Sequence, residues 1–164
     1  MEKVIKKLKE KKGSASTITF IITTLTILAV IALILQMILC SNSYSFISQT
    51  SSFLARTLGD QGGIQNSVPN GFNETYITSV ELYNTLDEGF EEAGFDDWEL
   101  EINGRIFSPS TSIKVPEKHY IEITLKGELE PIAKVLGSDR LEIEASRKIV
   151  SSFEPRDEGI SIVK

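Results

Sequence analysis

From Ile18 to Cys40 the chain reads ITFIITTLTILAVIALILQMILC, 23 residues without a charged side chain. A helix rises about 1.5 Å per residue, so this run covers the roughly 30 Å of hydrocarbon in a bilayer. Inside lipid every backbone amide must be satisfied within the segment, which leaves a single membrane-crossing helix as the reading for Ile18 to Cys40. Thr17, Thr19, Thr23, Thr24 and Thr26 fit that reading, because a threonine hydroxyl can bond back to a carbonyl one turn earlier or to a neighbouring helix.

The charges on either side orient the span. Lys3, Lys6, Lys7, Lys9, Lys11 and Lys12 precede it with Glu2 and Glu10, about +4, and the first charge after it is Arg56. Such a lysine bias predicts a cytoplasmic N-terminus and an outer C-terminal domain. The formal net charge of -6 hides this division, since the residues after Gly13 carry 11 basic and 21 acidic side chains, about -10. An acidic domain without a basic patch argues against nucleic acid as a partner. Cys40 is the only cysteine and His119 the only histidine. No intramolecular disulfide or cysteine zinc site can then be assembled, a lone histidine removes most routes to a catalytic triad or metal cluster, and neither catalysis nor a cofactor is expected.

Two other uses of the apolar run fit less well. A cleaved secretory signal has a core of about 7 to 15 apolar residues and a small-residue cleavage site, whereas this run is longer and no such site follows. A lipidated Cys40 would need small residues in front of it, where Met37, Ile38 and Leu39 stand.

Beyond Cys40 the chain turns polar without a Gly or Pro until Gly59, and Tyr44, Ile47, Phe53, Leu54 and Leu58 recur at helical spacing. The span is therefore expected to continue outward, as one helix from Ser14 to Leu58 that Gly59 stops. Three parts follow: a basic leader over 1–13, a transmembrane and amphipathic helix over 14–58, and an outer α+β domain over 59–164. In the outer domain Asn73 can cap a helix with Ile77, Val80, Tyr83, Leu86 and Phe90 on one stripe, ended by Gly94 and lying on a sheet. The period then becomes two. Trp98, Leu100 and Ile102 alternate with Glu99 and Glu101, and Asn103-Gly104 turns the strand back through Arg105 to Phe107. Tyr120 to Lys126 and Arg140 onward to about Phe153 read as further strands, giving three to five antiparallel strands, with a helical turn expected between Pro131 and Leu136.

The segment Lys-Glu-Lys-Lys-Gly-Ser-Ala-Ser, with Gly13 between a basic leader and the apolar helix, resembles the leader of a type IV prepilin. That resemblance implies cleavage between Gly13 and Ser14 by a membrane prepilin peptidase, and packing of the apolar helix against other pilin-like subunits at an assembly platform. The run from Phe46 to Gly63 is similar to the segment after the membrane helix in small pilin-like proteins of clostridial conjugative elements and in tight-adherence pseudopilins. The implied fold is a long N-terminal helix joined to a small antiparallel sheet. One position departs from the main pilin pattern: the fifth residue after the implied cut is Ile18, where most major pilins carry Glu, which turns the expectation toward a minor or pseudopilin-like subunit. An uncut, permanently anchored accessory or binding module of a secretion or conjugation system is the alternative.

The remaining motifs carry less. Glu88, Glu91, Glu92, Asp96, Asp97, Glu99 and Glu101 lack the ordered loop of a calcium site and read as a solvated face. Asn73-Glu-Thr75 matches the short glycosylation sequon. Trp98, Phe95, Phe107 and Phe72 read as core or subunit-interface residues.

Overall fold

The computed structural model describes residues 2–70, 72, 75–129 and 140–153, with side chains from residue 16 onward. Helix α1 runs unbroken over Glu2–Gln61. It takes in the leader and passes three residues beyond the expected end at Leu58. Gly59 does not stop it, because that residue serves close approach: a Cβ there would stand 2.9 Å from Cγ1 of Ile149. The backbone carbonyl of Gly59 also accepts a 2.8 Å bond from the amide of Ser152. The helix ends instead at Gly62 and Gly63, both at positive φ (67° and 112°), the left-handed exit that glycine adopts without Cβ strain.

Gly63 opens β1 (Gly63–Ile64), and the next element is α2 (Ser79–Glu92). Its cap is Thr78 rather than Asn73, which lies outside the described residues. Thr78 and Glu81 form a reciprocal capping box: the Thr78 hydroxyl accepts from the Glu81 amide, while the Glu81 carboxylate accepts from the Thr78 amide at 2.9 Å. Leu86 and Phe90 of the expected stripe are buried, and Ile77 and Tyr83 pack half-buried against the core. Ser79, Leu82, Leu86 and Phe90 face inward, Tyr83 is half-buried, and Val80 is exposed.

The capping box holds the Glu81 carboxyl below the usual carboxylate range, through its bonds to the Thr78 amide and hydroxyl. A carboxyl whose folded value is depressed supports the fold above its unfolded value and loses that support as pH falls through the folded one. Thr78→Ala should cost about 1 kcal/mol near neutral pH. The gap from the unsubstituted chain should narrow in acid, and unfolding curves at neutral and acidic pH check both statements.

Four strands make the main sheet in the order β3-β2-β5-β6. They are β2 (Asp97–Ile102), β3 (Arg105–Ile106), β5 (Tyr120–Leu129) and β6 (Leu141–Val150), every neighbouring pair antiparallel. Asn103 and Gly104 both take positive φ (51° and 72°), the geometry of the expected hairpin turn. Its register on β5 is held by the Asn103 side chain, which accepts from the Glu122 amide at 2.8 Å. A second, two-stranded ribbon pairs β1 with β4 (Ile113–Lys114). Periodicity had no purchase on strands of two residues. The turn expected over Pro131 to Leu136 lies outside the described residues.

One face of the sheet is dry. Ile121, Ile123, Leu125 and Leu129 of β5 join Leu100 and Ile102 of β2, and α1 covers them with Ile47, Leu54, Ala55 and Leu58. Tyr44 and Phe53, expected on that stripe, are exposed, and Ser43 and Ser51 occupy buried positions instead. The long helix lies along β5 and β6, so α2 does not cover the sheet alone. It fits between α1 and β2, where Phe90 meets Phe46 edge-on at 5.2 Å and stacks on Trp98 at 5.5 Å. Phe95 and Phe107 are buried, while Trp98 and Phe72 are half-buried. The architecture is α+β, a long apolar N-terminal helix joined to a small antiparallel sheet.

Candidate functional site

Two features of α1 stand out: its apolar half and the clamp that fastens it to β6 beyond that half. Ser16–Gln61 is by length and composition capable of crossing a membrane. Over the charge-free run nearly every large side chain is exposed, from Ile18 through Ile38, and only at its outer end does Leu39 pack against the core. Ile18 and Cys40, its two ends, stand about 33 Å apart along the helix. The hydroxyls of Thr23, Thr24 and Thr26 donate to the carbonyls of Thr19, Phe20 and Ile22 at 2.8, 2.9 and 2.8 Å, which satisfies them without water. Gln36 sends its amide toward Cys40 Sγ at 3.8 Å, and Cys40 is a half-buried free thiol.

Gly13 and Ser14 lie inside α1, in the helical stretch that joins the leader to the span. A peptidase acts on extended backbone, so cleavage there requires local unwinding. Glycine weakens a helix interior by about 1 kcal/mol relative to alanine, which makes this the point in the leader where unwinding costs least.

Above the span the helix is fastened to β6 by Arg147. Its guanidinium donates to Ser48 Oγ at 2.8 Å, to Ser52 Oγ at 3.4 Å and to the Ser146 carbonyl at 3.2 Å. Arg147 shares the strand parity of Leu141, Ile143, Ala145 and Ile149, the side turned toward α1. Sequence reasoning missed this clamp. The available signal was a charged residue at a core-facing position of an alternating strand, opposite serines spaced one turn apart.

The carboxylates divide between two surroundings. Glu99 and Glu101 meet Lys126 on the outer face of the sheet, at 3.6 and 3.1 Å, and the bond to Glu101 raises the Lys126 pKa. Asp96 and Asp97 sit where α2 gives way to β2, beside an open hollow of about 620 Å³ floored by Phe90, Phe95 and Trp98. Asp87 is engaged by the indole of Trp98 at 3.1 Å. Arg140 reaches Glu128 at 2.6 Å. Among the described residues no three His, Cys, Asp or Glu side chains are arranged to hold a metal ion. His119 is exposed, with Nδ1 3.2 Å from the Glu117 carbonyl.

A third location is polar and closed. Gln61 Oε1, Gln65 Nε2 and the Tyr76 hydroxyl are buried and lack hydrogen-bond partners among the described residues. Gln65 stands near the phenol without good bonding geometry, and burial outweighs its opposing influence, pushing Tyr76 up to about 12.

Compared with known proteins, the chain matches no family model, no curated protein and no solved structure.

Proposed function

We propose that the chain is a structural subunit of a type IV pilus-related filament or of a secretion or conjugation apparatus, a minor pilin or pseudopilin-like protein. In this reading the lysine-rich leader lies in the cytoplasm, Ile18 to Cys40 crosses the membrane, and the acidic domain lies outside. A prepilin peptidase removes residues 1–13, and an assembly platform then moves the apolar helix from lipid to a bundle of similar helices. Apolar helices gain little from lipid that they cannot regain from one another, so the exchange is feasible.

The observation that carries the reading is the unbroken α1, whose charge-free half is exposed while its outer half fills the domain core. An anchor on a loose linker would uncouple the domain from the span. Here a force applied to the span reaches the sheet through Ile47, Leu54 and Leu58. The absence of a carboxylate at Ile18 supports a minor subunit, since the usual pairing with a neighbour's N-terminal amine is unavailable.

Intact mass of the protein from membranes containing an active prepilin peptidase should begin at Ser14. Gly13→Ala should leave the leader attached in nearly all molecules, and mechanical shear should release the processed protein from cells. A chain that keeps Met1 to Gly13 beside an active peptidase, and leaves the membrane only in detergent, would instead be the anchored accessory module.

A further inference from the structure

Beyond the span the core claims only part of α1. Ile47, Ser51, Leu54, Ala55 and Leu58 are buried there. Counted in sevens with Leu39 as position a, they stand at positions b, f, b, c and f. Positions a and d fall on another side: Asn42, Phe46, Gln49, Phe53, Arg56 and Asp60, alternately four and three residues apart. All but Phe46 are exposed, Phe53 by 48%. The same spacing runs back through Leu39 and Leu35 to Ile18, and no charge falls between Lys12 and Arg56. A helix face that rises about 20 Å past Cys40 without a charge, on an acidic domain, has the charge depletion of an interface core.

The hollows along this face match the side chains that border them. In a parallel two-stranded coil each a or d side chain enters a hole between four residues of the facing helix, at its own level and one turn either side. For Phe53 that hole is Gln49, Ser52, Phe53 and Arg56, which with Ser48 surround a hollow of about 370 Å³. For Gln49 it is Phe46, Gln49, Thr50 and Phe53, the α1 wall of a second hollow of about 370 Å³, walled on its other side by α2 at Thr85 and Gly89. For Asn42 it is Leu39, Asn42, Ser43 and Phe46, in a third of about 510 Å³ that Ala93 borders. Thr85, Gly89 and Ala93 give the α2 side of this groove an edge low enough for another helix to lie against.

We propose that this face of α1 seats the same face of a second copy of the chain, as a parallel two-stranded coil within one membrane. The two sheets then lie on the outside, and α2 of each copy flanks the α1 of the other. Like residues meet across the seam, Asn42 with Asn42 and Gln49 with Gln49, and an amide that both donates and accepts fixes the register. Arg56 enters the hole that contains the second copy's Asp60, and the relation is reciprocal, so the two charges on the seam pair twice. Lipid reaches only the lowest hollow, because Phe53 lies about 20 Å beyond Cys40, past the roughly 6 Å of headgroup region. Any other occupant would need a helix that stays uncharged through the bilayer and well beyond it, and α1 is such a helix. The contact is isologous and closes as a two-fold dimer. It rests on Ile18 to Cys40 being a span, which also confines both copies at high effective concentration, and it stands whether or not the leader is removed.

The test uses full-length chains carrying Cys40→Ser and two distinguishable tags, produced together in one membrane. Under a mild oxidant Gln49→Cys should link copies with different tags through a disulfide. Tyr44→Cys, exposed but at position f on the far side of α1, should stay unlinked. In chains without these cysteines, Arg56→Glu in both copies should lower co-recovery of the second tag by roughly fivefold, and an Arg56→Glu copy beside an Asp60→Arg copy should restore it. Misfolding cannot produce that rescue. No product at Gln49→Cys, which leaves lipid and solvent against the seam, an equal product at Tyr44→Cys, or loss without rescue overturns the pairing. Leader removal and shear release, scored on the same cells, decide the filament reading separately. Processed, shearable protein without the Gln49→Cys product sinks the pairing alone, and a linked pair that keeps its leader beside an active peptidase sinks the filament reading alone.

Discussion

Phe90→Ala is expected to lower the stability of the C-terminal domain by about 3–5 kcal/mol. The ring is 1% exposed and touches three separate parts of the fold: Phe46 on α1, Phe95 in the turn after α2, and Trp98 on β2. Truncation removes its burial and leaves a void where α1, α2 and the sheet meet, which none of the three can close without leaving the others. Val80→Ala on the same helix is the control. Val80 is 47% exposed, so its loss should stay within about 0.5 kcal/mol. Denaturant unfolding in detergent, followed by tryptophan fluorescence, reads both, since Trp98 is the sole tryptophan and lies on Phe90. A cost below about 1 kcal/mol for Phe90→Ala would mean that α2 is not integral to the core.

Gly63→Ala should cost about 2–4 kcal/mol, more than a surface glycine can. Gly63 has φ 112°, a conformation that side chains disfavour, and an added Cβ would collide with the carbonyl oxygen of Ile113. That carbonyl belongs to β4, paired with β1, and backbone cannot move aside as a flexible side chain does. The substitution therefore separates the ribbon that closes the top of α1, including the bond from the Val115 amide to the Gly62 carbonyl at 2.9 Å. Gly94→Ala separates strain from collision. Gly94 also has positive φ (80°) but nothing within 4 Å of a built Cβ, so its cost should be about 1 kcal/mol. Equal losses at the two positions would show that φ alone governs Gly63.

Elements whose register is set locally were readable in advance. The hairpin at Asn103-Gly104 needs only two residues that accept positive φ, and strands β2, β5 and β6 show period two because one face is dry and the other wet. Helix α2 was harder. Leu86 and Phe90 lie inward as their spacing requires, yet Val80 is exposed and Ser79 and Leu82 complete the inward face. The buried Ser79 hydroxyl, bonded to Asn66 and to the Pro109 carbonyl at 2.8 Å, offsets its own desolvation with distant partners. The same difficulty recurs on α1, where Ser43 and Ser51 are inside while Tyr44 and Phe53 are outside. A buried serine looks polar until its partner is known.

The sequence by itself determined that a charge-free helix could cross a membrane, that lysines lie on one side of it and an acidic domain on the other, and that the domain mixes helix with antiparallel strands. Those conclusions depend on lengths, charges and periods, which are local properties. Only the tertiary structure decided that Gly59 is a point of close approach and not an end, and that Arg147 fastens α1 to β6. It alone set Phe90 between Phe46 of α1 and Trp98 of β2. Each of these depends on residues far apart in the chain, whose proximity is set by packing over the whole core, and no window along the chain contains it.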